Sequence, residues 1–162
     1  AVIRKQAAVL STTQREEGFI QAVKAGGLEV VFEGYLEPDS VTTLADFHAR
    51  LSGVDGVFAP NDHSVATTLA ALRRAKTTDR KVLIGFDSSP LLIEGLEQGW
   101  ITGLVVQQPY AMGYQSVQRA LQLLAGQPLA APRQEIALPV SYVTRHNLDS
   151  PEIARLLRPQ AP

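Results

Sequence analysis

The 162-residue chain contains no cysteine, one methionine, one tryptophan and three histidines. The missing thiols exclude disulfides, thiolate metal centres and a cysteine nucleophile. Three histidines without cysteine supply a metal site poorly, so neither metal nor other cofactor is expected. A charge excess is also missing: 15 basic residues face 16 acidic ones, for a net charge of −1. That balance gives no electrostatic pull on nucleic acid or on an anionic membrane. No apolar run reaches the roughly 18 residues of a bilayer span, so no membrane insertion is expected. There is no signal-peptide pattern and no starting methionine. The abrupt start Ala1-Val2-Ile3-Arg4 reads as a processed or truncated product.

What is present is apolar material, 45% of residues against 19% charged. That suits one core in one lobe of this length. Short runs rich in Val, Ile and Phe occur at Ala1–Arg4, Glu29–Gly34, Gly56–Ala59, Lys81–Phe86 and Ile101–Val106. They do not alternate polar with apolar, as expected of strands buried on both faces of a parallel sheet. Between them lie helical patterns at Arg15–Ala25, Val41–Leu51, Ser64–Lys76, Leu91–Gln98 and Tyr110–Ala125. Gly26-Gly27 and Gly126 stop two of these, and Pro90 suits a first helical turn. The alternation predicts a three-layer αβα sandwich with a five-stranded, mostly parallel, Rossmann-like sheet. Glu135–Thr144, preceded by Pro132 and broken by Pro139, reads as an edge or irregular strand. A short helical pattern follows Asp149.

The stretch "VLIGFDSSP" (82–90) ends a buried strand on a carboxylate. In open α/β sheets, ligands sit beyond the carboxyl ends of the strands. Asp87 occupies such a place, as do Asn61 after Gly56–Ala59 and Pro60, and Gln107 after Leu104-Val105-Val106. The loop Lys5–Gln14 leads from the first strand to Arg15. A carboxylate, two carboxamides and a guanidinium therefore converge on one edge. A sugar hydroxyl both donates and accepts, and these groups serve both needs. Other readings stand beside this one. Arg15 pairs with a nearby acid, Asn61-Asp62 caps the helix from Ser64 with Asp62 as the cap, and Asp87 is a turn residue. His63 with Ser88 or Ser89 does not make a nucleophile site, because "GFDSSP" lacks the Gly-x-Ser-x-Gly elbow. No enzyme activity is expected. Trp100, Tyr110 and Tyr114 read as packing residues, and Arg73-Arg74 with Lys76 as a solvated helix end.

"STTQREEGF" (11–19), "GVFAPNDHSVATTLAAL" (56–72), "VLIGFDSSPLLIEGLEQGWITGLVVQQPYAMGYQSV" (82–117) and "VTRHNLDSPE" (143–152) together carry a resemblance. The chain resembles the C-terminal half of a type I periplasmic sugar-binding protein, of the ribose-binding-protein-like family of ABC transporter substrate-binding proteins. The resemblance implies a flavodoxin-like lobe of a two-lobed receptor that closes on a pentose or hexose. It implies ligand contacts from Arg15, Asn61, Asp87 and Gln107, the four residues that the strand ends already select. It also implies a periplasmic or extracytoplasmic location and an ABC transporter permease as partner. The alternative is the effector-binding core of a lac-repressor-family regulator, which shares the fold. The N-terminal lobe of the sugar-binding family is expected to be absent from this sequence. With half a cleft, the lobe is expected to bind sugar weakly and to favour self-association through the exposed hinge face. The helix Tyr110–Ala125 is expected to pack on its own sheet, completing the strand order 2-1-3-4-5.

Overall fold

A computed structural model describes residues 1–4, 9–35, 49–127 and 136–157. Strands β1 (Val2–Arg4), β2 (Glu33–Tyr35), β3 (Gly56–Phe58), β4 (Val82–Phe86), β5 (Gly103–Val106) and β6 (Ser141–Val143) form one sheet, ordered β2-β1-β3-β4-β5-β6. The first five run parallel, with Ile3 opposite Gly34, Val57 opposite Leu83, and Gly85 opposite Leu104. β6 pairs antiparallel with β5, placing Val143 opposite Leu104. The sheet thus has six strands where five were expected. The additional one is the predicted edge segment, shortened to three residues beyond Pro139 and Val140.

Successive residues of a strand point to opposite faces, so burial of Val2 and Ile3 together means that both faces are covered. The helices are α1 (Leu10–Ala25), α2 (Asp62–Arg74), α3 (Pro90–Glu97), α4 (Pro109–Leu124) and α5 (Pro151–Leu157). Right-handed crossovers put α1, between β1 and β2, on one face, and α2 and α3 on the other. The second face holds the tightest packing: Leu69, Leu72, Leu92, Leu96, Ile101 and Leu104 are all essentially inaccessible. On the first face, the Phe19 ring of α1 stacks on Phe58 of β3, with centroids 4.7 Å apart. Beyond that stack, towards the amino ends of the strands, an apolar groove of about 490 Å³ runs past Val23, Val54, Val57, Val82 and Ile84.

Two expectations are corrected. Helix α1 begins at Leu10 rather than Arg15, so Arg15 lies in its second turn and the connection from β1 is shorter than predicted. Helix α4 does not pack on its own sheet. No residue of it is buried, and Val117, Leu121 and Leu124 are 59%, 53% and 84% exposed. The later part of the chain takes the places that α4 was expected to fill. β6 closes the β5 edge, and Ile153 of α5 joins the core with Leu156 and Leu157 packed against it. Tyr110 and Tyr114 are likewise exposed, stacked on each other with centroids 6.1 Å apart. The predicted helix Val41–Leu51 is seen only in residues 49–51; its other residues, with Lys5–Ala8 and Pro132–Glu135, lie outside the described residues.

Gly85 shows how closely β4 is covered. A Cβ there would stand 2.7 Å from Val65 Cγ2 and 2.9 Å from Leu104 Cδ2, both on buried side chains. Gly85→Ala is therefore expected to overpack the core and to lower the unfolding free energy by about 1–3 kcal/mol, measured by urea titration. An unchanged midpoint would show that the layer above β4 is loosely packed.

Candidate functional site

Strands β1 and β3 are neighbours in the sheet but not in the chain, and the helices that follow them leave to opposite faces. Their carboxyl ends flank the crevice where open α/β sheets bind ligands. Arg15 reaches this crevice from α1. Its guanidinium carbon lies 3.6 Å above the Phe86 ring. Nη1 donates to the Pro60 carbonyl at 2.9 Å, and Nη2 to Gln107 Oε1 at 3.4 Å. The arginine is thus fixed against the loops after β3 and β5 while it covers the last residue of β4. Burial pulls its pKa below the ordinary arginine value, and the Asp87 carboxylate opposes that shift. The ordinary value is so high that the group keeps its charge.

Asp87 has a φ of +80°, in the left-handed region that few non-glycine residues adopt. Its amide continues the sheet ladder to the Val105 carbonyl at 3.0 Å. Its Oδ2 accepts from the Asp62 amide at 3.0 Å. That amide is the first of α2, one of the donors that a helix start leaves without an intrahelical acceptor, at the positive end of the helix dipole. The carboxylate just after β4 therefore supports the start of α2 across the crevice.

Asn61, 8% exposed, caps the same helix. Its Oδ1 accepts from the Ser64 amide at 3.0 Å, and Ser64 Oγ accepts from the Asn61 amide at 3.3 Å. The expectation that Asp62 caps a helix starting at Ser64 is corrected: the helix starts at Asp62 and the cap is Asn61. Among the described residues, the buried Asn61 Nδ2 and Asp62 Oδ1 have no hydrogen-bond partner.

The four predicted residues therefore meet. Arg15 bonds Gln107 directly, touches the Asn61 loop through Pro60, and feels the charge of Asp87, which bonds the residue after Asn61. Sequence reasoning missed Phe86, the Pro60 carbonyl and Ser64. Phe86 was within reach, because the strand residue just before Asp87 must face the opposite side, towards α1. His63 is exposed, and Trp100 is half-buried at the amino end of β5, away from the rim. Arg73 stacks on Trp100 with its guanidinium carbon 3.9 Å from the ring, so it is not simply a solvated helix end.

Comparison with known proteins gives one consistent result. Residues 1–128 match the family described as "Periplasmic binding protein domain". The ribose import binding protein RbsB of Haemophilus influenzae is 31% identical over 122 residues, covering 73% of this chain and 41% of that protein. A carbohydrate transporter solute-binding protein from Agrobacterium radiobacter, solved with D-arabinose, superposes with a TM-score of 0.85 at 30% identity, over 97% of this chain and 54% of that one. An ABC transporter solute-binding protein from Agrobacterium vitis, solved with D-fucose, gives 0.83 at 28% identity, over 97% and 55%. The chain thus spans about half the length of these proteins.

Removing the Asn61 side chain deletes an N-cap acceptor but also an unpartnered amide. Asn61→Ala is expected to cost about 0.5–1 kcal/mol, the lower part of the range for cap removal, in chemical unfolding. A loss above about 2 kcal/mol would mean that the amide has a partner in solution.

Proposed function

The chain belongs to the periplasmic binding protein family, and we propose that residues 1–162 form the C-terminal lobe of the solute-binding component of a carbohydrate ABC transporter. The observation that carries this reading is the joined rim of Arg15, Asn61, Asp87 and Gln107 at the carboxyl ends of the strands.

The unused hydrogen-bonding capacity of that rim defines the guest. Asp87 has engaged one oxygen, and an ionised carboxylate accepts in about four directions. Gln107 has engaged its carbonyl, which leaves its amide as a donor. Asn61 has engaged its carbonyl in the same way, and its sealed amide joins the set when the rim adjusts to a guest. Arg15 has engaged two of its five N–H groups. Several donors beside one strong acceptor match adjacent hydroxyls, each able to give and to take. The guest is a neutral monosaccharide, a pentose or hexose. The rim supplies no activated nucleophile, so its work is holding rather than bond-breaking, and the function is not enzymatic.

One wall leaves the far side of a sugar in water, where solvent competes for every hydrogen bond. The exposed stripe of α4 is the surface that meets a second lobe, which completes the enclosure. In the isolated chain the same stripe is where a homodimer would form. The full-length protein works in the periplasm and delivers its sugar to the transporter permease. The relatives named above are transport proteins, and no observation favours the repressor reading.

The isolated chain is expected to bind pentoses and hexoses with a Kd of about 1 mM or weaker. NMR titration is expected to move the Arg15 Nε–H and the Asn61 and Gln107 side-chain amide signals together. The reading fails if no sugar in the panel moves any of them. Sub-micromolar affinity in a proven monomer would refute the need for a second wall. Leu121→Lys is expected to change the unfolding free energy of the chain by less than about 0.5 kcal/mol, because the side chain is already exposed. A larger loss in thermal unfolding would place that side chain in a contact within the lobe.

A further inference from the structure

The amino-terminal half of α1 is poorly secured by its own sequence. Its cap residue, Val9, makes no side-chain hydrogen bond, and the first turn contains no acidic residue. Both features weaken a helix start. Val9 and Leu10 are exposed, and only Thr12 and Glu16 are buried in the whole helix. Thr12 returns its hydroxyl to the Val9 carbonyl, so its polar atom is engaged within the helix. The Phe19–Phe58 stack holds the helix further along, one turn beyond Arg15.

That leaves Glu16. The residue is 2% exposed, and its carboxylate accepts from Arg4 Nη1 at 3.2 Å. Arg4 is the last residue of β1, and it also donates through Nε to Glu33 of β2 at 3.2 Å. One guanidinium therefore joins the ends of two strands to the helix position next to Arg15.

We propose that the Arg4–Glu16 ion pair positions Arg15. It docks the first two turns of α1 onto β1 and so sets the Arg15 guanidinium over Phe86, between Pro60 and Gln107. An ion pair with one buried partner and one partly exposed partner is a weak source of stability, because desolvation and screening offset most of the attraction, and apolar replacements of buried pairs are often neutral or stabilising. It does supply direction, since the planar guanidinium meets its acceptor at a defined angle that apolar contact does not impose. The contact from Arg15 to Pro60 is 2.9 Å, so a helix shift of about 1 Å breaks it. The consequence for sugar binding rests on the function proposed above; the placement of Arg15 does not.

The test compares Glu16→Leu, Glu16→Gln and the double variant Arg4→Met/Glu16→Leu with the parent chain. Three quantities are read: the thermal midpoint, the Arg15 Nε–H resonance, and the response of the rim to D-ribose. The double variant is expected to keep or raise the midpoint while the Arg15 signal loses its distinct shift and exchanges faster with water. Its D-ribose response is expected to fall about fivefold or more. Glu16→Gln keeps an acceptor for Arg4 and is expected to retain the Arg15 signal, whereas Glu16→Leu loses it. The proposal is overturned if the Arg15 resonance is unmoved in the folded double variant. It is equally overturned if Glu16→Gln and Glu16→Leu displace that resonance alike, a comparison that stands even where the double variant does not fold. A parent chain that ignores D-ribose and other sugars, with the Arg15 signal behaving as expected, would remove the functional reading and leave the positioning role in place.

Discussion

Helix α2 begins in a crevice, directly beyond the ends of the strands, and a helix start leaves amide donors that need acceptors. Water meets that need at an open surface; in a crevice, side chains must. Asn61 supplies one acceptor from the preceding loop, and Asp87 supplies another from a different strand. The Asp87 bond has the wider consequences. To reach the Asp62 amide, Asp87 adopts a left-handed backbone while its own amide stays in the ladder with Val105. One residue thus fixes the spacing of β4, β5 and α2. The negative charge that it brings is the one that steadies Arg15, whose other bonds draw in the Pro60 carbonyl and Gln107. The solution to a helix-capping problem has built most of a polar site.

Asparagine at position 61 is informative on the same grounds. Serine, aspartate and asparagine cap helices about equally well. Aspartate keeps no donor after its oxygen has been used and serine keeps only the hydrogen on that same oxygen, whereas asparagine carries a separate NH2 group, which in this protein is buried and unpartnered. Capping explains half of the side chain; the other half has a use once a hydroxyl lies beside it. On the proposed reading, binding and stability are coupled in the same atoms, so a substitution at the rim changes both.

The rim was legible in the sequence for a simple reason. Buried parallel strands announce themselves as short apolar runs, and the first polar residue after each run lands on a known edge of the sheet. Asn61, Asp87 and Gln107 follow that rule directly. The start of α1 was not legible, because Leu10–Gln14 offers neither a capping side chain nor an acidic first turn, and the tie that holds it runs back to Arg4. The role of α4 was not legible either. Its pattern correctly marks an amphipathic helix, but periodicity states only that a face is apolar and not what covers it. The edge of the sheet beside β5 is taken by β6, which begins 17 positions after α4 ends.

The exposure of α4 bears on how a half-site can work. Gln107 directly follows β5 at the rim, and Pro109 opens α4 two residues later. The connection is short and its proline has a fixed φ, so the direction in which α4 leaves is tied to the place of Gln107. On the proposed reading, the same few residues touch the sugar and lead to the surface that carries the second lobe. A solute shifts an open–closed equilibrium only through contacts that differ between the two states. Gln107 is held to Arg15 by a long bond of 3.4 Å, the weakest of the contacts that assemble the rim. It is therefore the member of the set that gives up least on exchanging its partner for a sugar hydroxyl. A loosely held contact beside the start of α4 is where guest binding and lobe closure are most directly joined, while the tighter Asp87–Asp62 bond keeps the rest of the wall in place.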